Sequence, residues 1–205
     1  MSQGRLYVFS GPSGAGKGTI CDRLVKEDAA DLSISMTTRA LRGQEVDGES
    51  YYFVSKEEFQ KAIDEDGLLE WAEIYNNRYG TPKKPVLEKL AKGRDVILEI
   101  EMQGAMKVKK AYPDAVLVFV LPPSLSVLAD RLRSRGTDSE AQIELRTKSV
   151  MSEIHKIIDY DYYIINGDLD EAVENAKKIM RGEFSVISRE SADKIIRKYE
   201  EELLL

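Results

Sequence analysis

The chain has 205 residues, 42% hydrophobic and 32% charged, with a formal net charge of −6, a length that fits one domain or one domain with small inserted lobes. The acidic balance argues against general nucleic-acid binding, although a local basic cluster can still hold a small anion. No apolar run reaches the roughly 18 residues of a membrane helix, the stretch after Met1–Arg5 is too short for a secretory signal, and the single Cys21 excludes an internal disulfide or a cysteine zinc site, so a cytoplasmic, reducing setting is expected.

Leu6–Ser10 reads as a buried strand stopped by Gly11-Pro12. From Lys17 to about Lys26, Ile20, Leu24 and Val25 recur at helical spacing. Residues 33–84 break the rhythm with a Ser/Thr- and Arg-containing stretch, then Tyr51–Val54, a short helix near 56–65, and Leu68–Tyr75; this segment is expected to be a small inserted α+β lobe. Asp95–Glu99, Ala115–Leu121 and Tyr162–Ile165 are further strands, with helical patterns over about 102–111, 124–135, 139–158 and 168–181. Apolar strands alternating with helices indicate an α/β fold with a parallel sheet covered by helices. The core is expected from 1–32, 85–124 and 151–205, the lobe from 33–84, and an Arg-rich helical lid from 125–150. The charged amphipathic tail, 184–205, carries Ile195, Ile196 and Tyr199; packing on the core is favoured over a dimer contact or solvation.

Gly11-Pro12-Ser13-Gly14-Ala15-Gly16-Lys17 fits the opening of the phosphate-loop pattern, between a predicted strand and a predicted helix. Glycines let backbone N–H groups turn toward one point, the helix adds its positive end, and Lys17 can reach the β- and γ-phosphates. The next residue is Gly18, where Ser or Thr usually ligates Mg²⁺; Thr19 comes one later. Mg²⁺ is therefore expected on nucleotide phosphates and water, without a direct protein ligand. Asp64-Glu65-Asp66-Gly67 has the GTPase D-x-x-G spacing, but no N-K-x-D follows, and the match is read as chance.

Arg39 and Arg42 stand three apart in a hydroxyl-rich run from Ser35. Their forks suit a phosphate dianion, and Tyr51 and Tyr79 can add O–H donors. On the pattern alone, two solvated arginines on a surface loop serve as well. Glu99 and Glu101, two apart near a strand end, share one face where open α/β sheets bind ligands. The lone His155 lies in a polar helical stretch and reads as structural or solvated, not as a general base.

Over about residues 5–182 the chain resembles bacterial guanylate kinases. The resemblance rests on FSGPSGAGKGT (9–19), SMTTRALRGQEVDGESYYFVS (35–55), LLEWAEIYNNRYGTP (68–82), ILEIEMQGA (97–105) and VLPPSLSVLADRLRSRGTD (120–138). It implies a phosphate-loop kinase that uses ATP and Mg²⁺ to convert GMP, and dGMP alongside it, into the diphosphate, serving purine nucleotide metabolism. ATP and GMP are then the partners, with no nucleic acid or membrane; monomer and homo-oligomer stay undecided.

By the same resemblance, ATP is held by Gly11–Thr19 with Arg131, Arg135 and Asn166. GMP is held by Ser35, Arg39, Arg42, Glu45, Tyr51, Glu70, Tyr79, Thr81 and Glu101. Lys17, Arg39, Arg42, Arg135 and Arg146 neutralise the transferring phosphoryl group, and Glu99 reaches Mg²⁺ through water. A carboxylate at Glu70 accepts from guanine N1–H and N2–H₂ together, while Thr81 donates to O6; adenine has an acceptor at N1 and is repelled. Without the resemblance, Glu70 reads as a surface charge beside a core Trp. Relatives often carry Asp at Glu99, Glu101 and Gly167, Thr-Pro at Ala40-Leu41, and Leu at Thr147. Two rivals remain: a scaffolding module of the same fold, which typically lacks a working phosphate loop, and a kinase for another acceptor.

Overall fold

The computed structural model describes residues 3–74, 76–134 and 140–204. The chain divides into two compact units, Met1–Val8 with Ala30–Ala115, and Phe9–Ala29 with Val116–Leu205. The opening strand β1 (Leu6–Ser10) is buried along its whole length, as an apolar run inside a helix-covered sheet should be.

The first unit contains β2 (Asp31–Leu32), β3 (Met36–Thr37), β4 (Tyr52–Phe53), α2 (Lys56–Asp64), β5 (Leu68–Ile74), β6 (Asn77–Pro82), α3 (Lys83–Ala91), β7 (Val96–Glu99) and α4 (Met102–Ala111). A small sheet runs β4-β3-β6-β5. In it β5 and β6 form an antiparallel hairpin that places Glu70 opposite Thr81 and Trp71 opposite Gly80, with a register shift between Leu68 and Glu70. The helix α2 is fixed by a reciprocal capping box: Ser55 Oγ accepts the Glu58 N–H at 3.1 Å and Glu58 accepts the Ser55 N–H at 2.8 Å. It ends as Asp66 takes a left-handed φ of 53° and Gly67 N–H bonds to Ala62 O at 2.8 Å. The D-x-x-G spacing of Asp64–Gly67 is thus a helix terminus. The core of this unit is Phe59, Leu69, Val86, Leu90, Val96–Leu98, Ala105 and Val108.

The second unit contains α1 (Lys17–Lys26), β8 (Val116–Leu121), α5 (Leu125–Ser134), α6 (Glu140–Ile154), a 3₁₀ turn (His155–Asp159), β9 (Tyr162–Ile165), α7 (Leu169–Met180) and α8 (Arg189–Leu203). The pairs β2/β7 and β8/β9 are parallel, with Asp31 opposite Val96 and Leu121 opposite Ile165. Strands thus alternate with helices, as the sequence pattern predicts.

The boundaries differ locally. The helix expected over 139–158 gives way at His155 to the 3₁₀ turn, and β7 and β8 each start one residue late. Helix α3 has no counterpart among the expected elements: of its apolar residues Val86, Leu87 and Leu90 only Val86 and Leu90 are buried, and Pro85 is tolerated because it lies in the first turn. The tail forms α8, with Ile195 and Tyr199 buried, and His155 meets Glu200 of that helix at 3.0 Å.

Candidate active site

In the second unit β1 runs out into the loop Gly11–Gly16, and α1 starts at Lys17. Two glycines are demanded by geometry. At Gly11, with φ of 135°, a Cβ would stand 2.2 Å from Val120 O; at Gly16, with φ of 90°, it would stand 2.2 Å from Asn166 Nδ2. Gly16 is also the N-cap of α1 and offers no side-chain oxygen, so the first-turn N–H groups of α1 suit an outside anion. Lys17 is only 9% exposed. Its ammonium donates to the carbonyls of Gly11 at 2.7 Å and Pro12 at 3.1 Å, which holds the charge over the loop.

Two residues distant in sequence close on this loop. Asn166 Nδ2 donates to Ala15 O at 2.9 Å. Arg131 donates to Ala15 O at 3.3 Å and to Asn166 O at 2.9 Å. Arg131, Asn166 and the phosphate loop are thus one hydrogen-bonded group. Arg146 lies half-buried on α6, and Arg135 lies outside the described residues. Two departures from the family pattern have simple surroundings. A Cβ on Gly167 would meet only Pro123 Cβ, at 3.6 Å, and Thr147 Oγ1 donates back to Ile143 O at 2.9 Å.

The first unit carries the residues expected to take the acceptor. Glu70 is 7% exposed, and Thr81 Oγ1 donates to its Oε1 at 2.8 Å. The pairing follows from the β5–β6 register. Gly104 leaves room for the carboxylate, since a Cβ there would stand 2.7 Å from Glu70 Oε2. Burial raises the Glu70 pKa, opposed by the Thr81 hydroxyl and the Lys107 charge. Lys107 also donates to Trp71 O and stands over the Trp71 ring, 5.2 Å from its centroid. Lys107 and Gly104 were missed in the sequence; their α4 spacing places them near Glu70 only once the hairpin register is known.

Arg39 is 8% exposed. Its two outer nitrogens meet Glu45 at 2.9 and 2.7 Å, a bidentate pair, and one also donates to Ala40 O at 2.8 Å. The guanidinium faces the rings of Tyr51 and Phe53, 5.4 and 5.6 Å from their centroids. Glu45, then Tyr79, raise the Arg39 pKa. The Arg39 guanidinium in turn holds the Glu45 carboxyl down at about 2. Thr37 Oγ1 accepts the Arg39 N–H at 3.1 Å, and Glu45 Oε2 accepts the Arg42 N–H at 2.8 Å. Burial and the charge of Glu99 raise the Tyr51 pKa, and Tyr51 meets Tyr79 edge to face. Ser35 gives its carbonyl to Tyr52 N–H at 2.9 Å. The side chains of Arg42, Glu99 and Glu101 are exposed. The structure thus gathers Arg39, Glu45, Tyr51 and Tyr79 in one cluster and pairs Glu70 with Thr81.

Among the described residues, no group of three or more His, Cys, Asp or Glu side chains is placed to hold a metal ion. With Gly18 after Lys17, the donor set fits Mg²⁺ as an ion carried by nucleotide phosphates and water. Among them, too, no helix is long and apolar enough to cross a membrane.

A glycine loop between strand and helix, its lysine, and a parallel sheet define a phosphate-loop nucleotide-binding protein of the α/β class. The chain belongs to the guanylate kinase family, whose sequence profile, described as "Guanylate kinase", matches residues 3–183. It is 50% identical over 204 residues to the guanylate kinase of Clostridioides difficile (strain 630), covering 99% of each chain. It is 51% identical to that of Caldanaerobacter subterraneus subsp. tengcongensis over 188 residues, 91% of each. Among solved structures, the guanylate kinase of Anaplasma phagocytophilum superposes with a TM-score of 0.73 at 34% identity, covering 89% of this chain and 87% of that one.

Proposed function

We propose that the protein transfers the γ-phosphoryl group of ATP to GMP, giving ADP and GDP, and that dGMP serves as a second acceptor. The observation that carries the acceptor assignment is Glu70: a carboxylate buried to 7% exposure and fixed by Thr81 is costly unless a ligand uses it. Guanine does so with two adjacent N–H donors, and on its binding the single Thr81 proton, given to Glu70 in the free protein, can turn to O6. Adenine presents no such pair.

ATP lies with its phosphates on the amides of Gly11–Thr19 and on Lys17, backed by Arg131 and Asn166. The GMP phosphate is taken by Arg39 and Arg42 with Tyr51 and Tyr79, and Glu45 keeps the Arg39 fork oriented. Ser35 and Glu101 support the nucleotide. An oxygen of the GMP phosphate attacks Pγ, and the bond from Pγ to the β,γ-bridging oxygen breaks as ADP leaves. That oxygen is already ionised, so no general base is needed, in keeping with the place of His155 in a hydrogen bond with Glu200 on α8. Catalysis then rests on alignment and charge neutralisation by Lys17, Arg39, Arg42, Arg135 and Arg146. Mg²⁺, when bound with ATP, offsets phosphate charge; Glu99 would hold it through water. The segment 33–84 acts as the acceptor lobe and 125–150 as a lid that keeps water from the phosphoryl group. The reaction belongs in the cytosol. Incubation with γ-labelled ATP and GMP should place one label on GDP for each ADP formed. Label appearing as free phosphate, with GMP unchanged, would refute the transfer.

A further inference from the structure

The C-terminal helix α8 reaches the junction between β8 and α5. Tyr199, fully buried, donates its hydroxyl to Pro122 O. Lys198 donates to Pro123 O at 2.8 Å. Glu202 accepts the Leu125 N–H, at the start of α5, at 2.7 Å. The junction needs such help. Pro122 and Pro123 have no N–H, so their carbonyls are the backbone handles by which they can be tied down. The first turn of α5 has N–H groups without helical partners, and a carboxylate there both caps and meets the positive helix end. Ser124 satisfies the Val127 N–H at 3.2 Å, and Glu202 satisfies that of Leu125.

The helix held in this way is the one that leans on the phosphate loop. Leu128 and Leu132 of α5 border Gly14 so closely that a Cβ there would stand 2.8 and 3.3 Å from their methyl carbons. Arg131, between them, makes the bonds to Ala15 O and Asn166 O. A change in the pitch of α5 at Leu125 would shift leucines and guanidinium together. We propose that α8 is a positioning element for the donor nucleotide: Glu202 and Tyr199 fix the start of α5 and thereby the approach of Arg131 to the phosphate loop. This rests on the reading of that loop as the ATP site, and not on the identity of the acceptor.

The test is calorimetric titration of the full chain with Mg-ATP and, separately, with GMP. Glu202→Ala should weaken ATP binding roughly fivefold, the scale of a lost helix cap, and leave GMP binding unchanged. Glu202→Gln keeps an acceptor oxygen and should restore most of the affinity. In an Arg131→Ala background, Glu202→Ala should add less than about twofold, because its effect passes through Arg131. Tyr199→Phe, with folding checked by thermal unfolding, should act in the same direction. Lys194→Ala, which removes an exposed pair with Glu190 on the same helix, should change neither titration. The inference is overturned by unchanged ATP affinity in both Glu202→Ala and Tyr199→Phe, by full additivity with Arg131→Ala, or by equal weakening of ATP and GMP. The titrations need no turnover, so a wild-type protein that binds ATP but does not phosphorylate GMP would refute the proposed reaction alone.

Discussion

Replacing Glu70 by Gln changes one oxygen to an amide and leaves the shape of the site almost intact. The wild-type carboxylate is 7% exposed, and one oxygen takes the Thr81 hydroxyl at 2.8 Å, leaving lone pairs for two guanine N–H groups. Each hydrogen bond to a charged group contributes about 1.5–3 kcal/mol. Gln keeps one acceptor and turns a donor toward the second N–H, so about 3 kcal/mol is lost, or roughly 150-fold in kcat/KM for GMP. AMP loses nothing, and the GMP:AMP ratio falls by the same factor. The fold should not suffer, because Gln removes a carboxylate whose pKa burial already raises. That raised pKa adds a second readout. Glu70 must be ionised to accept both bonds, so wild-type KM for GMP should climb with acidification before the ordinary carboxylate range is reached, and the Gln variant should lack the climb. A coupled ADP-release assay with both acceptors across pH measures all of this. A GMP:AMP ratio within twofold of wild type would remove Glu70 from base recognition.

Other perturbations separate the two sets of residues. Lys17→Ala should reduce turnover by about 10²–10³-fold while calorimetry shows GMP binding intact; a loss confined to GMP binding would contradict the role given to the loop. Gly16→Ala puts a Cβ at φ of 90° and 2.2 Å from Asn166 Nδ2, so ATP affinity should fall with a stability cost of about 1–3 kcal/mol by thermal unfolding. Glu45 has its pKa lowered to about 2 by Arg39, so its stabilising pair is present above the unfolded value near 4.5 and lost as pH falls toward 2. Acid titration of Glu45→Gln should lack that part of the wild-type stability loss.

The strands around β1, β7, β8 and β9 were legible because long apolar runs bounded by Gly and Pro have few other uses. The phosphate loop was legible because its spacing carries its mechanism. The small sheet was harder. The elements β3 and β4 span two residues each, too short for any periodicity, and their pairing is set by the hairpin that follows. Glu70 shows the same limit. The alternation of β5 marks it as one residue of a strand, and its burial beside Thr81 comes from the β5–β6 register. The resemblance named Asn166 and Arg131 separately; their shared bond to Ala15 O is visible only in three dimensions, 151 and 116 residues away in sequence.

The central claim is that the protein phosphorylates GMP in preference to other nucleoside monophosphates. ADP release measured with ATP and equal concentrations of GMP, AMP, CMP and UMP tests it directly. The buried Glu70 with Thr81 predicts kcat/KM for GMP ahead of the others by roughly 10³–10⁴. Comparable rates with all four acceptors, or a maximum with AMP, would contradict it.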